Sequence, residues 1–307
     1  MKITNNYGLP NWVFETIVAK ETSTSPTKDR IRVTELISPP LERILKINNW
    51  DTIKKDAVEF LTVQFGTAWH EVHNNMSAAE ENDMVEMRLE HKVGSVTLTG
   101  QFDHYVASKN QIRDIKLSNT RSFNPEKAKP EQIAQQNIYR WLLYKTHGIV
   151  VDSLVLDIFF RDWFITDADR KLKYKESTYP AIPYMEQQIP IWSFDEVEHY
   201  INGRMELHNN AFSVYENDSS YIRIECTEEE KWQEPEVWAV VKSIQGGKVR
   251  AFPKAAHFKS RKEALAWKIV NKPKEGMIER RLSIAKRCKM YCSMRNVCPY
   301  SNGPIIF

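Results

Sequence analysis

The sequence predicts an α/β fold, and three stretches carry that prediction. Val96, Leu98, Phe102 and Val106 alternate along a segment that ends in the polar turn Ser108-Lys109-Asn110, the period-two pattern of a hairpin strand. Pro130 and Gly148 bracket the next segment; proline fits the first position of a helix and glycine the place just past its last turn. Ile149 to Phe160 then reads as a strand, β-branched at its start and apolar through most of its length.

The remaining elements follow in chain order. Residues 1–29 hold few apolar side chains outside Pro10-Asn11-Trp12-Val13-Phe14, and Thr22 to Lys28 is polar, so this stretch is expected to be an N-terminal arm. From Arg30, the series Ile31, Val33, Leu36, Ile37, Pro39-Pro40, Leu41, Ile44, Leu45, Ile47 reads as an extended piece, a break and an amphipathic helix. A second helix is expected over Lys54–His73, with Val58, Leu61, Phe65, Ala68 and Val72 as its apolar face. Met76 to Asp83 is a polar loop. Met84–Lys92 and Ser95–Ala107 are antiparallel strands joined at Gly94. Arg161 to Gln188 is a polar connection with a hairpin, and Ser193-Phe194-Asp195-Glu196 is a capping box that starts a helix to about Asn209.

Folding 103–107 back on 111–115 sets Asp103 opposite Asp114 or Ile115. Side chains alternate along a strand, so Asp114 and Lys116 share a face and Ile115 takes the other, toward the core. Two carboxylates thus meet with an ammonium beside them. Such carboxylates repel unless a cation lies between them, and a divalent metal meets that need with oxygen ligands. A metal can polarise a phosphoryl oxygen and activate a water, and a lysine can steady the developing charge. An Asp-x-Lys alone is commonplace on a solvated hairpin; its neighbours give it weight. Gln135 and Tyr139, spaced i, i+4, share one helix face with Gln132 a turn earlier, while Ile138, Trp141 and Leu142 pack on the sheet. The run His70-Glu71-Val72-His73 is not a zincin motif, because its histidines are three apart and not four.

Asp103, then Asp114-Ile115-Lys116, then Gln135-x-x-x-Tyr139 resembles the PD-(D/E)XK nuclease superfamily, and within it the RecB-like branch with a QxxxY motif. Phe102 stands where the family often has proline, a position with no chemical role. Arg32 to Leu36 resembles the entry segment of phage-type members, and His70, after Gly66 on its helix, matches an additional metal ligand of the branch. The resemblance implies a restriction-endonuclease-like mixed β-sheet flanked by helices, over residues 30–215. It implies catalytic roles for Asp103, Asp114, Lys116, Gln135 and Tyr139, and a metal held by His70, Asp103, Asp114 and the Ile115 backbone carbonyl. Imidazole suits Mn2+ better than Mg2+.

The whole chain sets the bounds. Its 307 residues are 42% hydrophobic and 27% charged with a net charge of +3, so nucleic-acid affinity must come from local clustering and not from a global field. No apolar run approaches a membrane span, and the first twenty residues lack a signal-peptide pattern. The chain is therefore expected in the cytoplasm, that of a host cell if phage-encoded, where disulfides are disfavoured. Its four cysteines are Cys226, Cys288, Cys292 and Cys298, the last three within eleven residues. By themselves they read as a structural zinc site or an iron–sulfur site. The resemblance favours a [4Fe–4S] cluster over Zn2+, in a C-terminal cluster subdomain over 216–307 with an inserted hairpin around Gly246-Gly247 and a helix capped by Ser260-x-x-Glu263. Cys226 follows the nuclease motifs, unlike the distant cysteine of CRISPR-associated members, and Cys226 to Trp232 is similar to phage-encoded relatives.

Basic residues gather around the cluster ligands: Arg280, Arg281, Lys286, Arg287, Lys289 and Arg295. Beside a nuclease site they would neutralise phosphates. Gln132, Gln135, Tyr139, Arg287 and Lys289 are the expected DNA contacts. The implied function is a metal-dependent deoxyribonuclease, an exonuclease on single-stranded DNA or a free end, which could work beside a replication or recombination protein. A ribonuclease stays open within the same chemistry. The rival from another class is a non-catalytic nucleic-acid-binding protein with the same fold and cluster, which would have no use for Asp103, Asp114 and Lys116 together.

Overall fold

The computed structural model describes residues 1–22, 25–77, 82–172, 179–218, 224–243, 249–271, 273 and 276–301. They form two compact units, Met1–Ser220 and Tyr221–Phe307, five residues later than the division the sequence suggested.

The first unit starts with structure where an arm was expected. Strand β1 (Lys2–Thr4) precedes helix α1 (Asn11–Glu21), whose Ile17 is fully buried with Ala57 and Phe60. After β2 (Arg30–Arg32), the short helix α2 (Val33–Leu36) and the amphipathic α3 (Pro40–Asn49), the chain enters β3 (Lys54–Asp56), which pairs in parallel with β1. Arg43 of α3 is buried and donates to the carbonyls of Thr27, Lys28 and Arg30, fixing the segment that leads into β2. The single helix expected over 54–73 is thus a strand, a 3-10 turn over Ala57–Phe60 and helix α4 (Leu61–Ser77). The cause is local: Asp56 accepts from Val58 N and Glu59 reaches back to Asp56 N, a capping box that starts a new element. Of the supposed apolar face of α4, Leu61 packs against Ile17, Ala57 and Phe60, but Phe65 is 68% and Val72 50% exposed.

The strands divide between two sheets. Strands β4 (Met84–Val85), β5 (Arg88–Val93) and β6 (Val96–Gln101) lead to β7 (His104–Val106), β8 (Gln111–Ser118), helix α5 (Pro130–His147) and β9 (Ser153–Phe160). Helix α6 (Ile165–Leu172), β10 (Tyr184–Ile189) and α7 (Phe194–Asp218) complete the unit. One sheet runs β10-β9-β8-β7-β4 and the other β2-β6-β5. The first is mixed: β8 and β9 are parallel across the α5 crossover, and its other pairs are antiparallel. What reads as one strand over 95–107 therefore breaks at Phe102-Asp103 and passes from one sheet to the other. The connection expected to hold a hairpin contains α6, and α7 runs nine residues beyond Asn209. Gly148 caps α5 at φ +69° and Asn110 closes the β7–β8 turn at φ +44°.

The core lies between the sheets and helix α5. Ile112, Leu154, Leu156 and Ile158 face Ile138 and Leu142 of α5, with Leu89 and Leu98 from the smaller sheet. By register, Asp114 and Lys116 share the face of Ile112, Leu156 and Ile158. Ile115 lies on the opposite face with Arg113 and Asp157 and is buried there, as expected, while the acid and the lysine also point toward packed side chains. Burying that face removes the solvent that would otherwise screen them.

The second unit holds β11 (Gln233–Glu234), β12 (Val237–Ser243), β13 (Val249–Ala251), α8 (Arg261–Asn271), β14 (Met277–Arg281), β15 (Ile284–Ala285) and α9 (Lys286–Met290). Strand β12 lies between β13 and β14, antiparallel to both; Gly246 and Gly247 lie outside the described residues. Ser260 accepts from Glu263 N at the start of α8.

Candidate active site

The register His104↔Arg113 extends to Asp103 opposite Asp114. Asp103 Oδ2 accepts from Ile115 N at 2.6 Å, which turns Oδ1 toward His70 Nδ1, 3.5 Å away. A strand residue directs its N–H and C=O to the same edge, so the Ile115 carbonyl faces that side as well.

A ligand not named by the sequence completes the group. Glu86 Oε1 lies 2.9 Å from His70 Nδ1, and His70, Glu86 and Asp103 each offer an atom within 4.8 Å of the others. Glu86 sits between β4 and β5 at φ +48°, with its N–H on the Asp103 carbonyl at 2.9 Å. Left-handed backbone at a residue that is neither Gly nor Asn is uncommon, and here it aims the carboxylate inward. The sequence carries no signal for it, since Met84–Lys92 reads as one strand and the break at Glu86 appears only in the structure.

Asp114 is 1% exposed. Lys116 Nζ lies 2.6 Å from its Oδ2, a buried ion pair. Lys116 Nζ also donates to Gln135 Oε1 at 3.4 Å, and Gln135 Nε2 donates to the Tyr139 hydroxyl at 2.8 Å. The glutamine therefore joins the lysine to the tyrosine. Gln132 is used differently: its side-chain oxygen accepts from Lys129 N at 3.2 Å and closes the first turn of α5.

The electrostatics follow from burial and crowding. Burial, and then Asp114, push Asp103 up to about 7. Burial works against the Lys116 ammonium, yet Asp114 and Asp103 outweigh it and hold its pKa above the ordinary value. His70 is raised by its hydrogen bond to Glu86, against burial, with Asp103 adding to the rise. Burial and Asp114 raise Tyr139, which keeps its proton. A divalent cation among these carboxylates would reverse the penalty on Asp103. The donors, two carboxylates and an imidazole with the buried Asp114 carboxylate across the strand pair, fit such an ion.

The four cysteines lie in the second unit as half-buried thiols, none in a disulfide. Burial pushes Cys226 up to about 12, with Glu230, Cys288, Cys298 and Cys292 adding to the effect; among the described residues no three of the four sulfurs lie within 4.8 Å of one another. Arg287 and Lys289 flank Cys288 on α9, and the Arg287 guanidinium lies 5.4 Å from the centre of the Trp232 ring.

No family model matches the chain, and no curated protein sequence is similar to it. Among solved structures it is similar to SSO0001 at 16% identity and TM-score 0.43, over 64% of this chain and 85% of that one. A phage-related exonuclease from Haemophilus somnus 129PT gives 16% identity and TM-score 0.39, over 62% and 96%. The alkaline exonuclease LHK-Exo from Laribacter hongkongensis gives 11% and 0.38, over 68% and 98%.

Proposed function

We propose that the chain is a divalent-metal-dependent deoxyribonuclease that hydrolyses phosphodiester bonds, acting on single-stranded DNA from a free end. The observation that carries this reading is a juxtaposition. His70, Glu86 and Asp103 converge beside the buried Asp114–Lys116 pair, and that pair is wired through Gln135 to Tyr139.

His70, Glu86, Asp103 and Asp114 would hold the ion, with the Ile115 carbonyl on the same side. When bound, a divalent cation polarises a phosphoryl oxygen and lowers the pKa of water. Lys116 keeps its proton and can steady negative charge as it builds on the phosphate. Gln135 sets the position of the lysine, and Tyr139, with a raised pKa, serves as a neutral hydrogen-bonding group. A mixed imidazole–carboxylate set favours Mn2+ over Mg2+. The four thiols would hold a [4Fe–4S] cluster, or one Zn2+, that fastens the segment after β15 to the residues around Cys226. Iron and zinc analysis of anaerobically purified protein separates the two.

The deciding experiment incubates end-labelled single- and double-stranded DNA, and RNA, with the protein and Mn2+, Mg2+ or EDTA. Stepwise shortening of single-stranded DNA with Mn2+, abolished by EDTA and by Asp114→Asn, is expected. Binding without cleavage in any metal would leave a nucleic-acid-binding protein instead.

A further inference from the structure

We infer that Trp232 and Tyr291 form a base-stacking platform for a single nucleic-acid strand in the C-terminal unit. This rests on the nucleic-acid reading above but not on catalysis. Trp232 is 40% and Tyr291 59% exposed, although rings of this size are usually largely covered in a folded chain. Their centroids are 5.4 Å apart at 59°, so two aromatic surfaces meet at one open place.

The pair is held with some care. Trp232 has φ +51°, a left-handed conformation that a bulky residue keeps only where its surroundings impose it. Here they do: Trp232 N donates to Glu229 O, Arg287 N to Lys231 O and Tyr291 N to Arg287 O, at 2.9–3.0 Å. Cys292 N also donates to Arg287 O at 2.8 Å. The loop after Cys226 and helix α9, which carries Cys288, therefore fix the backbone of both residues, and the cysteines and the platform share one scaffold.

The charge around the rings selects the ligand. Arg287 lies over Trp232, and exposed Lys289 is two residues from Tyr291. Glu234, the acid on β11, is engaged by Lys286 at 3.2 Å. Exposed aromatic faces bordered by cations match a strand that presents bases and phosphates alternately. A duplex hides its base faces, so the platform would select single strands or frayed ends.

The test uses the full chain carrying Asp114→Asn, so that the probe is not consumed. Affinity is measured by fluorescence anisotropy for a short oligothymidylate and for the same strand with abasic sites. Trp232→Ala with Tyr291→Ala should weaken oligothymidylate binding roughly tenfold or more, Tyr291→Ala alone severalfold, and the two phenylalanine changes little. The abasic strand should bind the unaltered platform more weakly, and the alanine changes should not weaken it further. Equal affinity for both strands on the unaltered platform would overturn the inference, as would Tyr291→Ala binding like the parent. Should the double alanine variant lose its thiol-bound metal, Tyr291→Ala and the phenylalanine pair decide. Protein that cleaves DNA yet ignores bases would sink this inference alone, whereas one that stacks bases yet never cleaves would sink only the nuclease reading.

Discussion

Gly100 and Tyr139 approach so closely that a Cβ on the glycine would lie 2.9 Å from Tyr139 Cε1, and equally 2.9 Å from Leu142 Cδ1. The glycine is what allows α5 to lie against β6 at the height where Gln135 meets Lys116. Gly100→Ala should therefore cost about 1–3 kcal/mol through overpacking. It should also lower cleavage by displacing Tyr139 from Gln135. Thermal denaturation and DNA cleavage measured together check both effects; a variant with unchanged stability would show that α5 yields easily.

Asp114→Asn should reduce cleavage at least a hundredfold. It removes a carboxylate from the proposed ion site, keeps the shape and relieves the repulsion that lifts Asp103. Lys116→Ala should lose most of the rate while keeping Mn2+ binding, since the lysine is not a ligand. Calorimetric Mn2+ titration beside the rate measurement separates the two.

Glu86→Gln should weaken Mn2+ binding by roughly ten- to a hundredfold, because it removes a carboxylate from the group with His70 and Asp103. His70→Ala should narrow the preference for Mn2+ over Mg2+. A metal dependence indifferent to both changes would place the ion elsewhere.

The sequence made visible what local rules govern. The β7–β8 register, the α5 bounds at Pro130 and Gly148 and the cap at Ser193 each depend on residues within a few positions. Glu86 was invisible because nothing near it in the chain requires a carboxylate; only the tertiary approach of α4 and Asp103 gives it partners. Residues 1–29 read as an arm because Ile17 finds its burial against Ala57 and Phe60, contacts that no periodicity displays. The burial of Asp114 was not legible for a related reason. Alternation fixes which residues share a face, but helix α5 decides which face is packed.

His208 makes stability fall in mild acid. It is 1% exposed, and burial holds its pKa down at about 4 against an ordinary 6.5. Nε2–H donates to Leu36 O at 3.1 Å, which works against the shift, but burial outweighs it and the folded state keeps the ring neutral. The unfolded chain binds the proton first, so this stability is fully present above about pH 6.5 and drains away as pH falls toward 4. Between pH 7 and 5 the loss should be about 2 kcal/mol. Melting temperatures across that range should fall less steeply for His208→Gln.

If the four thiols hold the proposed metal, Cys292→Ala should lower the metal content and the stability of the C-terminal unit, and reduce DNA affinity. The Mn2+ dependence of residual cleavage should stay as it was, because His70, Glu86 and Asp103 belong to the first unit. Metal analysis, denaturation and a Mn2+ titration of activity test the three parts.

The parallel β8–β9 pair has a consequence in time. Hairpin β7–β8 closes over a short turn and can form early, which brings Asp103 to Asp114. Strand β9 must wait for α5 to cross and dock, and pairing of that kind is slow because chain entropy is lost before contacts repay it. Lys116 gains Gln135 only when the crossover is in place, and Glu86 gains His70 only when α4 has settled. During refolding, and on the ribosome, the chain should thus acquire most of its secondary structure before the proposed active site is assembled, which is complete only as its last long-range contacts close.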